Sequence, residues 1–100
     1  MFIAILDFET VADDRARALA QLEGERAHVR SMPGNLAFRV YASREDERTV
    51  TVVHEWTDQG SFVTYLASDA FARSNAVLRP MVTGGPVSRR FRAELVEAVA

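Results

Sequence analysis

Between Thr49 and Thr57 the chain alternates with a period of two, placing Val50, Val52, His54 and Trp56 on one side and Thr51, Val53 and Glu55 on the other. Alternation and β-branched content together predict a strand. Asp58 follows where a helix N-cap belongs, and Phe62, Tyr65 and Leu66 recur at helical spacing. Ser68-Asp69 offers a second cap, after which Phe71, Asn75 and Leu78 share one face until Pro80 stops the helix. The pattern predicts a strand, a short helix, a restart and a longer helix.

Upstream, Phe2 to Glu9 reads as a strand with Phe2, Ala4, Leu6 and Phe8 on one face and Ile3, Ile5 and Asp7 on the other. Apolar residues on both faces suit a strand covered on both sides, with Asp7 marking where it leaves the core. Thr10 is expected to cap a helix running to about Arg30, with Asp13 at its positive end. Glu23 and Arg26 project into the apolar side of that helix, either as an i,i+3 ion pair or as a polar rim over a cavity; the ion pair is the simpler reading. Met32-Pro33-Gly34-Asn35 predicts a turn, and Leu36 to Ser43 a second strand with Leu36, Phe38 and Val40 opposite Ala37, Arg39 and Tyr41. Arg44 to Arg48 reads as a solvated hairpin connection. Thr83-Gly84-Gly85-Pro86 reads as a linker and not a phosphate loop, since neither a helix nor Lys-Ser/Thr follows. Val87 to Val96 predicts the last strand, with Val87, Arg89 and Phe91 facing away from Ser88, Arg90 and Arg92.

The resulting order, β-α-β-β-α-(α)-β, is that of a ferredoxin-like split βαβ α+β fold: one antiparallel sheet with helices on one face, in a single domain over residues 1–100. Ile3, Ile5, Tyr41 and Val53 then lie on the uncovered face, apolar material that one chain cannot bury, so a homodimer is expected.

A chain of 100 residues has room for one core. The net charge of −2, with arginines scattered apart from Arg89, Arg90 and Arg92, argues against a nucleic-acid partner. The absence of cysteine removes disulfide and thiolate chemistry. No apolar run approaches the roughly 20 residues of a membrane span. The run from Phe2 to Leu6 is too short for a signal peptide and lacks a basic flank, so a cytoplasmic protein without a membrane partner is expected. No His, Asp or Glu cluster has metal-ligand spacing.

Glu55-Trp56 ending a strand, the Asp58 cap, Phe62, Leu66-Ala67-Ser68 and Phe71, with Met32-Pro33-Gly34-Asn35-Leu36 upstream, resemble the antibiotic biosynthesis monooxygenase (ABM) family over nearly the whole chain. The resemblance implies a dimeric α+β barrel. It also implies a cofactor-independent monooxygenase that oxidises a phenol, quinol or anthrone-type aromatic with molecular oxygen. In such chemistry the deprotonated substrate itself reduces oxygen, without flavin, haem or metal, and the protein binds the ring, assists deprotonation and excludes water. On the resemblance, Val52, His54 and Trp56 line the cavity with Phe62 and Tyr65 opposite, and Asn75 joins the substrate-binding set.

The chain departs from polyketide-oxidising relatives, which carry an asparagine where Val52 stands and a tyrosine where Phe62 stands. A haem-degrading branch has an asparagine, a tryptophan and an axial histidine where this chain has Asp7, Tyr65 and Asn75; without the axial donor, haem is not expected. The alternative to an enzyme is a non-catalytic ligand-binding or stress-response domain of the same fold.

His54 is the sole imidazole on the cavity face, and an ordinary pKa of ~6.5 suits a general base, although a hydrogen-bonded core histidine occupies the same pattern. Trp56 reads equally as a substrate contact or a core aromatic. Tyr65 either orients a substrate oxygen or packs, and His28 is expected in solvent. An enzyme keeps a pocket with His54 or Tyr65 beside Trp56, whereas a packing domain fills it with Val52, Phe62 and Leu66.

Overall fold

Strands β1 (Phe2–Thr10), β2 (Asn35–Ala42), β3 (Thr49–Trp56) and β4 (Val82–Arg92) form one antiparallel sheet in the order β2-β3-β1-β4. They do so in a computed structural model that describes residues 1–100. Helices α1 (Arg15–Arg30), α2 (Gln59–Leu66) and α3 (Asp69–Leu78) pack on one face, the ferredoxin-like arrangement that the element order predicts.

The central pair explains the layering. Val50, Val52, His54 and Trp56 of β3 are buried, alternating with partly covered residues. The register sets Phe2 beside Trp56, Ala4 beside His54, Leu6 beside Val52 and Phe8 beside Val50. One continuous apolar surface results, and Ala18, Leu22 and Val29 of α1 and Phe62 and Tyr65 of α2 cover it. Both downstream caps form as expected. The Asp58 carboxylate accepts from the Ser61 N–H at 2.8 Å, and Ser68 Oγ accepts from the Phe71 N–H at 3.2 Å.

The entry to α1 differs from expectation. Thr10 is not a cap: it is the fully buried last residue of β1, its hydroxyl donating to the Val11 carbonyl. A 3₁₀ turn (Ala12–Asp14) leads into the helix without a side-chain cap. Arg15 fastens that end, donating to the Ser43 and Asp46 carbonyls at 2.9 and 2.8 Å. The connection between β2 and β3 is therefore tied to α1 through its backbone. Glu23 and Arg26 form no ion pair; Arg26 Nε donates instead to the Phe38 carbonyl on edge strand β2 at 3.1 Å.

Two further corrections concern strand irregularities. A register shift between Asn35 and Ala37 throws Leu36 outward, 43% exposed, so it does not share a face with Phe38 and Val40. Thr83 to Pro86 is not a linker but part of β4, which begins at Val82 and ends at Arg92 rather than Val96. The register shifts here too, between Asp7 and Glu9, and Gly84 supplies the positive φ of 67° in that stretch.

On the face away from the helices, Ile3, Ile5 and Val53 are half-buried, while Tyr41, Val87 and Phe91 are exposed. Asp7 lies there too, accepting from Thr51 Oγ1 at 2.5 Å and pairing with Arg89 at 3.5 Å. No helix is long and apolar enough to cross a membrane.

Candidate functional site

A cavity of about 190 Å³ lies between the sheet and helices α2 and α3. Its inner wall is apolar and aromatic: Phe8, Leu22, Phe38, Val52, Phe62 and Tyr65, all buried. Its exposed lining residues are Arg79, just beyond α3, and Pro86, Ser88 and Arg90 of β4, so the opening to solvent lies between the end of α3 and edge strand β4. The strand parity that turns the buried Ala4 and the partly buried Leu6 toward the helices turns Arg90 and Ser88, their cross-strand partners, toward this side.

The residues expected to form the site fall into two groups. His54, Phe62, Tyr65, Val52 and Asn75 all line the cavity. Trp56 does not. Its side chain is fully buried behind the wall, stacked on Tyr65 with ring centroids 5.4 Å apart, and its Nε1–H donates to His54 Nδ1 at 2.9 Å. The reason is positional: Trp56 ends β3 opposite Phe2, beyond the end of the cavity that His54 and Val52 reach.

That hydrogen bond determines the state of His54. An indole N–H can only donate, so Nδ1 is the unprotonated nitrogen of the neutral ring and Nε2 carries the proton. Nε2 has no hydrogen-bond partner in the protein, yet no sealed side-chain polar atom lacks one, so Nε2 opens onto the cavity that His54 lines. Phe38, Phe62, Tyr65 and Trp56 surround the imidazole at centroid distances of 5.4 to 6.1 Å. Burial first, and the Arg90 charge second, push its pKa down to about 4. At neutral pH His54 is thus a neutral N–H donor whose free lone pair is already occupied. The general-base role expected of it does not suit this geometry.

Other polar groups complete the lining. Arg90 sits over the Phe62 ring, 4.9 Å from its centroid, with Nε donating to Ser88 Oγ at 3.3 Å. Neither Arg90 nor Arg79 takes part in an ion pair, so both cationic groups at the opening remain available to an anion. Burial, and then the charge of Glu25, raise the Tyr65 hydroxyl well above its ordinary pKa and keep it protonated. Glu25 of α1 is the sole carboxylate in the lining. No group of His and acidic side chains is arranged to hold a metal ion.

Glu25, Arg79, Ser88 and Arg90 escape sequence reasoning. Strand parity does place Ser88 and Arg90 together, but which face of β4 is covered depends on the sheet order. Glu25 is one of two acids on α1, with Glu23, and carries no mark of its own.

Fold and cavity together define a small α+β protein with an aromatic-lined cavity between its sheet and its helices. The chain belongs to the antibiotic biosynthesis monooxygenase family, whose sequence profile matches residues 1–77. A Deinococcus radiodurans protein, proposed to be an antibiotic biosynthesis monooxygenase, superposes with a TM-score of 0.89 at 18% identity, over 100% of this chain and 99% of that one. Rv0793 of Mycobacterium tuberculosis superposes with a TM-score of 0.85 at 17% identity, over 98% of each chain. A mutant of SnoaB, a cofactor-independent oxygenase of Streptomyces nogalater, does so with a TM-score of 0.79 at 20% identity, over 95% of each chain. At these identities the superpositions establish the fold. No curated protein sequence matches the chain.

Proposed function

We propose that this protein is a cofactor-independent monooxygenase that oxidises a single-ring phenol or quinol with molecular oxygen. The observation carrying this reading is the aromatic cavity into which the Nε2–H of His54 opens and over which Arg90 lies against Phe62. Both groups favour a phenolate oxygen over a neutral phenol, and a water-poor apolar wall strengthens that preference. The phenolate is the electron-rich species that gives electrons to oxygen. One oxygen atom enters the ring as a new carbonyl and the other leaves as water, so a phenol becomes a quinone with all four electrons drawn from the substrate. The size of the cavity favours small substrates. A cavity of about 150 Å³ accommodates benzene, so 190 Å³ suits one substituted ring rather than a three-ring anthrone.

Oxygen uptake with a panel of phenols and hydroquinones tests the reading, with isotopic oxygen tracing the product. The expected result is catalytic uptake and one labelled atom in the quinone. Binding without uptake by every member of the panel would instead identify a ligand-binding domain.

The partner proposed for the chain is a second copy of itself. Ile3, Ile5, Val53, Tyr41, Val87 and Phe91 give the uncovered sheet face an apolar centre that sheet-to-sheet packing would bury. Light scattering at micromolar concentration is expected to show twice the chain mass of 11.1 kDa, and Val53→Lys to shift it to one. A wild-type monomer would remove this proposal.

A further inference from the structure

Behind the aromatic wall a second, polar groove runs between α1 and α3, lined by Gln21, Gly24, His28, Arg73 and Ser74. Glu25 lines both this groove and the cavity, as does the buried Ser74. Glu25 therefore stands at the partition, with the cavity on one side and the outer groove on the other. Gln21 Nε2 lies 3.4 Å from Glu25 Oε1 and 3.5 Å from Ser74 Oγ, which places the carboxylate from the groove side. The cavity is thus polarised. His54 and Arg90 present donors from the sheet, Tyr65 and Arg79 add others from the helical side, and the one anionic acceptor comes from α1.

We propose that Glu25 is the proton acceptor of the cavity and that the groove between α1 and α3 is the route by which the proton leaves. The proposal rests on the phenol-oxidising reading above. In this step the substrate O–H bond breaks heterolytically and its electron pair stays on the oxygen. A new O–H bond forms on Glu25, which then passes the proton to water in the groove. Nothing is oxidised until oxygen reacts with the phenolate.

His54 cannot take this proton, because its Nδ1 is held by Trp56 and its Nε2 is already protonated. The Tyr65 hydroxyl is likewise protonated and held so. Burial raises the Glu25 pKa against the lowering effect of the Gln21 hydrogen bond, making the carboxylate a better base than one in water. The titratable or charged groups around it are His28 and Arg73 in the groove, and His54, Tyr65, Arg79 and Arg90 in the cavity.

The test combines turnover with a spectroscopic readout that needs no oxidation. Glu25→Gln, a near-isosteric change on a half-exposed helical position, is expected to fold and to lose 10²–10⁴-fold in kcat with little change in KM. The acid limb of the wild-type pH profile should vanish with it, and Glu25→Asp should recover part of the rate. Under nitrogen, infrared difference spectra with 4-nitrophenol as the probe should show a protonated carboxyl band on binding to wild type and none with Glu25→Gln. Gly24→Leu fills the groove from a position where a Cβ meets nothing within 4 Å, and it should slow turnover without weakening nitrophenol binding. Wild-type kcat in Glu25→Gln, or nitrophenol bound without a carboxyl band, overturns the proposal. A carboxyl band in a protein that consumes no oxygen leaves Glu25 as acceptor and overturns the oxygenase reading alone. A chain that binds no phenol overturns both.

Discussion

His54→Phe is expected to lower kcat for phenol oxidation by about 10²–10³-fold, the usual worth of a hydrogen-bond donor aimed at developing negative charge. Ring packing survives the change, because phenylalanine fills the aromatic space between Phe38, Phe62 and Tyr65. The loss should appear in kcat beside a stability cost of about 1–3 kcal/mol at pH 7, because the buried Trp56 Nε1–H loses its acceptor. His54→Gln, which still presents an N–H, should recover part of the rate.

The same residue governs acid sensitivity. Folded, its pKa is pushed down to about 4; unfolded, it returns to about 6.5. The unfolded chain thus binds the extra proton first as pH falls, and stability drops from about pH 6.5 down to about pH 4. Full protonation removes on the order of 3 kcal/mol. Urea unfolding at pH 7 and pH 4 should show His54→Phe losing about that much less than wild type over the interval. Equal losses in the two proteins would place the imidazole outside the buried aromatic cluster.

Gly34→Ala is expected to destabilise the chain by about 3 kcal/mol, combining the left-handed backbone penalty with overpacking. Gly34 has φ 82°, and its carbonyl accepts from the Thr57 N–H at 2.8 Å. A Cβ added there would sit 2.7 Å from Ser61 Cβ and 2.9 Å from Thr57 Oγ1. The turn before β2 thus rests directly on the first turn of α2, the helix carrying Phe62 and Tyr65 into the cavity. Relief requires moving that helix, so ligand binding should weaken together with stability. A fall in Tm of roughly 10–20 °C is expected for a domain of this size. A Tm within 2 °C of wild type would refute the close packing of turn and helix.

Much of the architecture follows from local rules. Alternation in β3, apolar rows in β1, and the Asp58 and Ser68 caps each specify one element through interactions within a few residues, and the order of elements then leaves few topologies. The family resemblance rests on these same local features. The errors arise where a local preference meets a distant partner. Thr10 is a good cap by type, but packing buries it and the chain enters α1 through a 3₁₀ turn. Gly84-Gly85 reads as a break, yet the pairing of Thr83 and Val87 with β1 on either side carries it as an irregularity within β4. Arg26 has an acid one turn away and bonds to the edge-strand carbonyl of Phe38 instead.

The candidate site divides in the same way. Parity by itself puts Val52, His54 and Trp56 on one face, and helical spacing puts Phe62, Tyr65 and Asn75 within reach of it. Only the tertiary structure decides that Trp56 is sealed behind the wall and holds Nδ1 of His54, making the imidazole a donor. It also joins Glu25 of α1 to Arg90 of β4 in one cavity, although 65 positions separate their numbers. Strand and helix periods are set by the backbone of a few neighbouring residues, so they can be read along the chain. A hydrogen-bond partner, a protonation state and a shared cavity depend on which elements stack and in what register, and the packed core alone determines those.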